Sequence, residues 1–446
     1  MVRVFQWMAE EPPVYNMQSP IFTSDRACAT QLDHTDPLKH FRQQFLIPER
    51  EGLPQVYFLG NSLGLQPKTT ATAIQQVLTK WADYGVEGFF EGKDPWLHFH
   101  DHLVNPLASL VGALPSEIVV MNQLTVNLHL MMASFYQPVG LRKKILVEPH
   151  AFPSDQYMLE THLKYLGLDP NEIIVEVTPL AGREWVDDEA VLQTIQLHAD
   201  ELALVLIGGV QYYTGQLFNI PSITTTAQAA GAKVGFDLAH AAGNVYLQLH
   251  DWNVDFACWC NYKYLNAGPG AVAACYIHER YHQDPTLKRL SGWWGYKKET
   301  RFLMQPGFDP MTSAQGWQLS TPPIILLATL RASLEIFEQA GFPAMLEKMK
   351  LLSAYLFYLL TEIQQSNANS FFEIITPANP SHRGAQISLL MKKDGKKIFQ
   401  SLKEQGFWVD WREPEVIRLA AVPLYNTFDE IWQFASAFKK AGQMLK

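Results

Sequence analysis

The chain reads as an α/β protein, with a mostly parallel sheet between helices and a smaller α+β unit at its C-terminal end. Three observations predict this. Short, continuous runs of apolar and β-branched residues recur through much of the chain, as expected of strands buried on both faces. Segments of helical periodicity separate these runs, the alternation of a parallel sheet covered by helices. Near Pro322–Pro323 the pattern changes to two long helices and a strand-rich tail. The expected organisation is an N-terminal segment 1–65 that joins the small domain, a large domain 66–322 and a small domain 323–446.

Taken in order, Pro67 opens a helical pattern in which Ile74, Val77, Leu78 and Trp81 share one face, and Gly85 is placed to end it. Ile118–Met121 reads as a strand, followed by a helix from about Thr125. Lys144–Val147 and Ile173–Val177 read as strands, with a helix over Ser154–Tyr165 between them. Leu202–Gly208 is a continuous apolar strand. A helix around Thr224–Ala230 and the strand Lys233–Phe236 follow. Phe256–Cys260 and Ala271–Ile277 complete the set. Beyond the double proline come helices over Ile325–Ala340 and Pro343–Gln365, then strands at Ile374–Ile375 and Gln386–Leu390.

Composition narrows the function classes. The 446 residues are 48% hydrophobic and 18% charged, ordinary for a globular protein. The formal charge of −9 and the lack of any basic stripe argue against nucleic acid as a partner. Of the four cysteines, Cys258, Cys260 and Cys275 fall in apolar strand runs and Cys28 lies near the N-terminus. They form no disulfide framework, and the CxxC-type spacing of a zinc site is missing, so no metal is expected. Met1 to Pro20 carries Glu10 and Glu11 and has no sustained apolar core, unlike a secretory leader. The stretch Leu202–Val210 is far shorter than the ~18 residues of a membrane helix. The expectation is a cytoplasmic protein that does not bind membranes.

Two segments carry chemistry. In Val234-Gly235-Phe236-Asp237-Leu238-Ala239-His240-Ala241 a buried strand delivers a carboxylate to its C-terminal end, the edge where open α/β sheets bind ligands. In Asp255-Phe256-Ala257-Cys258-Trp259-Cys260-Asn261-Tyr262-Lys263-Tyr264 an apolar strand runs into a lysine between two tyrosines, and Gly268-Pro269-Gly270 follows. Most lysines are solvated surface residues. A lysine after Cys-Trp-Cys is instead expected to be partly desolvated, which makes its amine a usable nucleophile. Lys263 is therefore read as the amine that binds pyridoxal phosphate (PLP). Asp237 supports that reading, because PLP needs an acidic partner to keep its ring nitrogen protonated. Taken alone, Asp237 is as well explained as a turn or helix-capping aspartate. His240 either lies near the ring or is a satisfied core histidine. Asn122-Gln123-Leu124-Thr125, where a strand meets a helix, supplies amides and a hydroxyl for a phosphate, or plain N-capping by Thr125.

At these residues the chain resembles the kynureninase family. The matching segments begin at Leu32-Asp33-His34-Thr35-Asp36-Pro37-Leu38 and Tyr57-Phe58-Leu59-Gly60-Asn61-Ser62-Leu63-Gly64. They continue through Gln123-Leu124-Thr125-Val126-Asn127-Leu128-His129, Pro149-His150-Ala151-Phe152-Pro153-Ser154-Asp155 and Tyr213-Thr214-Gly215-Gln216. Gly235–Ala241 and Asn261–Asn266 follow, and the series ends at Arg418-Leu419-Ala420 and Pro423-Leu424-Tyr425-Asn426. Each motif alone is weak; the series in this order is specific.

The resemblance implies the aminotransferase-like fold type I of PLP enzymes, with a seven-stranded sheet, and a homodimer to which the N-terminal segment contributes. It implies hydrolytic cleavage of the Cβ–Cγ bond of L-kynurenine to anthranilate and L-alanine, and the same cleavage of 3-hydroxy-L-kynurenine, in tryptophan degradation and NAD biosynthesis. Lys263 carries the cofactor and takes the α-proton, Asp237 pairs with the ring nitrogen, and His240 lies close by. Phe152 stacks on the ring, with Pro153, Ser154 and Asp155 in the same cofactor loop. Leu124, Thr125, Tyr262 and Trp293 hold the phosphate, Trp293 coming from the second subunit. Arg418 binds the substrate α-carboxylate. In the chemistry this implies, Tyr262 beside the phosphate is the best candidate for a proton relay, or is a phosphate ligand alone. Two cofactor-site positions depart from the common pattern: Gly208 stands where some relatives place serine, and Thr321 where some place asparagine. The loop Tyr84–Trp96 is expected to shape the aryl pocket.

Three rivals fit less well. A cysteine-desulfurase-like lyase needs a reactive cysteine on an exposed loop, whereas three of the four cysteines read as strand residues. A non-catalytic scaffold of this fold has no need for Lys263, Asp237 and Arg418 together. A nicotinamide enzyme calls for GxGxxG, which Gly208-Gly209 does not supply.

Overall fold

The computed structural model describes residues 20–366 and 370–443. The reading of Met1 to Pro20 as lacking a leader therefore falls, apart from Pro20, outside the described residues. Seven strands form the main sheet: β1 (Ile118–Val120), β2 (Lys144–Val147), β3 (Ile174–Glu176), β4 (Leu202–Gly208), β5 (Lys233–Asp237), β6 (Phe256–Trp259) and β7 (Ala274–Ile277). Their spatial order is β1-β7-β6-β5-β4-β2-β3. Strand β7 runs antiparallel to both of its neighbours, and the other pairs are parallel. Most of the apolar runs that announced these strands are buried, β6 and β7 along their whole length, whereas the edge strand β3 is partly exposed. Gly235 on β5 permits one close approach: a Cβ there would lie 2.0 Å from the Phe256 ring on β6. That glycine lets an aromatic ring pack across the sheet.

Helices cover the sheet: α1 (Thr70–Tyr84), α2 (Leu124–Phe135), α3 (Pro153–Tyr165), α4 (Ile220–Ala229), α5 (Ile324–Ala340) and α6 (Phe342–Gln365). Gly85 ends α1 with φ of 50°, and Pro153 opens α3 at its first turn, where its missing N–H is no loss. The apolar face expected of α1 is only partly covered. Val77 is buried, but Trp81 is 63% exposed and Leu78 38%.

A second sheet is wholly antiparallel. It contains β8 (Phe372–Ile374), β9 (Gln386–Met391), β10 (Asp410–Arg412) and β11 (Val416–Ala420) in the order β8-β9-β11-β10. The C-terminal helix α7 (Phe428–Gln443) packs with α6 and with the helix Arg26–Thr35. The N-terminal segment is pinned there. Arg26 pairs with Asp429 at 2.8 Å, Asp33 accepts the first amides of α7, and Val56–Tyr57 pairs with Phe407–Trp408. Leu327, Leu330, Leu334 and Phe337 of α5 belong to the core of the large sheet, whereas Leu352, Leu356 and Leu360 of α6 serve the second core. The cores thus change hands inside α6, some way beyond the double proline.

At the edge of the large sheet where β1 begins and β7 ends, Glu117 is fully buried. Its carboxylate accepts the amides of Leu114 and Glu279, both at 2.9 Å, and the His250 ring nitrogen at 3.0 Å. His278, stacked on His250, accepts the Arg280 amide.

Candidate active site

The C-terminal ends of the parallel strands open into one pocket of about 240 Å3, lined among others by Glu148, Phe152, Asp155, Tyr212, Asp237 and Lys263. Each strand delivers its residue directly: β2 runs into Glu148, β4 ends on Gly208, β5 ends on Asp237, and β6 runs through Cys260 to Lys263. Two bonds fix the turn after β6. The Asn261 side chain donates to Val272 O at 2.6 Å, and Gly64 N–H donates to Tyr262 O at 2.8 Å. In a larger and shallower cavity near Asp101 and Lys298, those two residues pair with each other at 2.8 Å.

The structure gathers most of the residues expected from sequence. Lys263 is 9% exposed, and its Nζ lies 5.8 Å from the centre of the Phe152 ring. No hydrogen bond or ion pair holds that amine among the described residues. Asp237 Oδ1 accepts Ala239 N–H at 2.7 Å, so the turn aspartate and the pocket carboxylate are the same group. Asp155 stands against it, and burial with the Asp237 charge pushes the Asp155 carboxyl well up. Two carboxyls in contact share a proton or await a cation. Burial holds His240 well below the usual range, with Lys263 and Arg418 adding to the effect, and its Nδ1 has no partner. It is a neutral imidazole.

Thr125 does not cap its helix. Its hydroxyl meets Ser154 Oγ at 2.7 Å, and Gln123 at the N-cap position makes no side-chain bond. The first amides of α2 therefore stay free at the pocket, with Leu124 and Thr125 on its wall. Burial raises the Tyr262 phenol, with Cys260 contributing, so it keeps its proton.

Arg418 on β11 is 1% exposed and reaches across from the second sheet. Its guanidinium donates to Tyr212 O at 2.6 Å and forms an ion pair with Asp410. Burial lowers it to about 10, which leaves it charged at neutral pH. Trp293 and Thr321 do not line the pocket of their own chain. Trp293 is 45% exposed and packs on Phe302 at 5.5 Å, and Thr321 sits at the surface. The loop Tyr84–Trp96 is likewise absent from the lining.

Sequence reasoning missed Glu148 and Tyr212. Tyr212 immediately precedes a quoted motif, and Glu148 directly follows an apolar strand. The rule that singled out Asp237 would have found Glu148 as well.

This pocket offers an unpaired buried amine, an aromatic face, an acid pair with an open oxygen on Asp155, and free helix amides. That donor set suits a flat aldehyde with a basic ring nitrogen and an anionic tail. Comparison with known proteins agrees. Residues 347–438 match the family described as kynureninase C-terminal domain. Kynureninase of Flavobacterium johnsoniae is 50% identical over 94% of this chain and 98% of its own. Kynureninase of Koribacter versatilis is 47% identical over 95% and 99%. Among solved structures, a cystine C–S lyase, C-DES, in a mutant with glycine linked to its PLP cofactor, superposes with a TM-score of 0.71 at 17% identity, covering 86% of this chain and 96% of its own. The apo cysteine desulfurase of Thermococcus onnurineus gives 0.70 at 16%, covering 93% and 98%. At such identity these two establish the fold alone, fold type I of the PLP-dependent enzymes. With relatives near half identity over almost its whole length, the chain belongs to the kynureninase family.

Proposed function

We propose that this chain binds PLP through Lys263 and hydrolyses the Cβ–Cγ bond of L-kynurenine, releasing anthranilate and L-alanine. The observation that carries the reading is the unpaired, buried Lys263 amine in one pocket with the Asp155–Asp237 pair, beside the guanidinium of Arg418. 3-Hydroxy-L-kynurenine is cleaved in the same way.

PLP, when bound, supplies an aldehyde for the covalent link and a ring that accepts electrons from the substrate. The chain does the rest. Lys263 Nζ would hold the cofactor aldehyde and, when not so engaged, would take the substrate's α-proton. Asp237, oriented by Ala239 N–H, keeps a proton on the ring nitrogen, and Asp155 stands behind it. Phe152 covers one ring face. Leu124 and Thr125 amides, the Thr125 and Ser154 hydroxyls and Tyr262 receive the phosphate. Pro153 fixes the start of α3 beneath it. His240 stays neutral and adds a ring nitrogen rather than a charge. Gly208 contributes backbone only. Arg418 takes the α-carboxylate, which orients the scissile bond. Tyr262, held as a phenol, lends and regains its proton as water adds at the γ-carbonyl and the aryl acid leaves.

The partner is a second copy of this chain. Trp293 and Thr321 lie outside their own pocket, and Phe90, Phe302 and Trp293 form an exposed apolar patch with ring centres 5.5–5.6 Å apart. A copy placed there covers the patch and brings Trp293 to the other pocket's phosphate. The small domain is best taken to begin within α6, where the cores change, with the N-terminal segment joined to it. No helix among the described residues is long and apolar enough to cross a membrane; a cytoplasmic location is part of the same proposal.

The test is an absorption spectrum of the purified protein, followed by addition of L-kynurenine. A visible band that borohydride abolishes while labelling Lys263, and release of anthranilate, are expected. Labelling of a different lysine, or a bound cofactor with no anthranilate, overturns the reading.

A further inference from the structure

Glu148 is the pocket acid that the mechanism above leaves without a task. It follows β2 directly, and its Oε2 accepts Gly208 N–H at 3.1 Å. Gly208 has no side chain, and Glu148 fills the room: a Cβ on residue 208 would lie 2.9 Å from Glu148 Oε1. The residue is 5% exposed and lines the cavity. No lysine or arginine pairs with it among the described residues. A buried carboxylate without a cation is costly, and the usual resolution is to keep a proton.

The surroundings all push the same way. Asp237 at the end of β5, Asp155 at the start of α3 and Glu176 at the end of β3 act on Glu148 as like charges or are acted on by it. Lys263 faces the same acids, and Tyr212 and His240 complete the wall. Burial, with the Asp237 and Glu176 charges, pushes the Glu148 carboxyl up to about 7. Burial among like charges therefore favours the protonated acid up to about pH 7.

We propose that Glu148 is a further cofactor-binding residue, a neutral carboxylic acid whose Oε1–H donates to the polar edge of a pyridoxal-class ring in the space Gly208 leaves open. It does the work that a hydroxyl-bearing side chain at position 208 would do, from the neighbouring strand. The inference rests on the PLP reading.

The experiment measures PLP affinity by equilibrium dialysis, and the visible absorbance of the holoenzyme between pH 5.5 and 8.5. Three variants are compared with the wild type: Glu148→Gln, Glu148→Leu, and Glu148→Ala combined with Gly208→Ser. Glu148→Gln keeps a donor, so PLP affinity holds within about threefold, and the spectral step near pH 7 disappears. Glu148→Leu loses the donor and about tenfold in affinity, one hydrogen bond's worth. The double variant regains most of that loss, because the serine hydroxyl restores the donor. In the wild type, affinity falls as pH rises above about 7, where the proton leaves. Unchanged affinity in Glu148→Leu overturns the proposal, as does equal loss in Glu148→Gln and Glu148→Leu. If the wild type takes up no PLP, the cofactor reading itself has failed, and that outcome is separately visible.

Discussion

Two buried acidic clusters sit at opposite ends of the large sheet, and they are finished to different degrees. At one end Glu117 has both oxygens occupied, by the Leu114 and Glu279 amides and by His250. At the other, Asp155 Oδ1 and His240 Nδ1 have no partner, and the Lys263 amine, near the Phe152 and Tyr262 rings and the pocket acids, makes no hydrogen bond or ion pair among the described residues. The acids of both clusters are buried. Native folds satisfy nearly all buried polar groups, so a closed network is doing structural work and an open one is prepared for something else. Glu117 joins the start of β1 to the segment after β7. The pocket cluster joins nothing further until a ligand arrives.

Substitutions separate the two clusters. The largest effect is expected from Lys263→Ala: kcat falls by about 10^3-fold or more, and borohydride no longer fixes PLP to the chain. The melting temperature of the cofactor-free protein stays within a few degrees of wild type, since the amine holds nothing in the fold. Glu117→Ala should do the reverse, lowering unfolding free energy by about 3 kcal/mol in denaturant titration while leaving kcat per folded molecule unchanged. Equal losses of activity in the two variants would erase the distinction.

Smaller effects sharpen it. Arg418→Lys keeps the charge but loses the fork, and should reduce kcat/KM by about tenfold to a hundredfold, mostly through KM, with PLP retained. The smallest effect is pH-dependent. Burial, with the nearby Arg280 charge, lowers His278 to about 4, below its unfolded value near 6.5. Between those values the unfolded chain binds the extra proton, so this group's stabilisation is complete above pH 6.5 and is lost as pH falls toward 4. His278→Asn keeps an acceptor for the Arg280 amide and removes the titration. Its melting temperature should fall less steeply than wild type from pH 6.5 to pH 4.

Much of the large sheet was legible in the sequence, because β2, β4, β5 and β6 are mostly buried on both faces and so carry continuous apolar runs. Short strands such as β10 and Phe407–Trp408 span too few residues to show a period. The double proline marks a real change of pattern, but α5 beyond it still packs in the large core, and composition does not distinguish which sheet a helix covers. In the site, Lys263 and Asp237 were legible because each follows a buried strand. Glu148 follows one too, and the same reasoning applied there would have found it. Trp293 and the outer face of α1 stay exposed in this chain, so nothing packed against them within it ties them to the site.

The ion pair between Arg418 and Asp410 has a kinetic and thermodynamic consequence. The guanidinium is not waiting bare for a substrate carboxylate; it already holds one. Binding is then an exchange of one anion for another at a fixed cation, with no new charge to desolvate at the guanidinium. Its free energy is the difference between two similar contacts, not the whole of either. Asp410 is not stranded by the exchange, since Arg412 lies 3.2 Å from the same carboxylate. A rival already in place keeps the site from clutching any passing carboxylate, and it favours the molecule whose remaining atoms also find their places along the pocket.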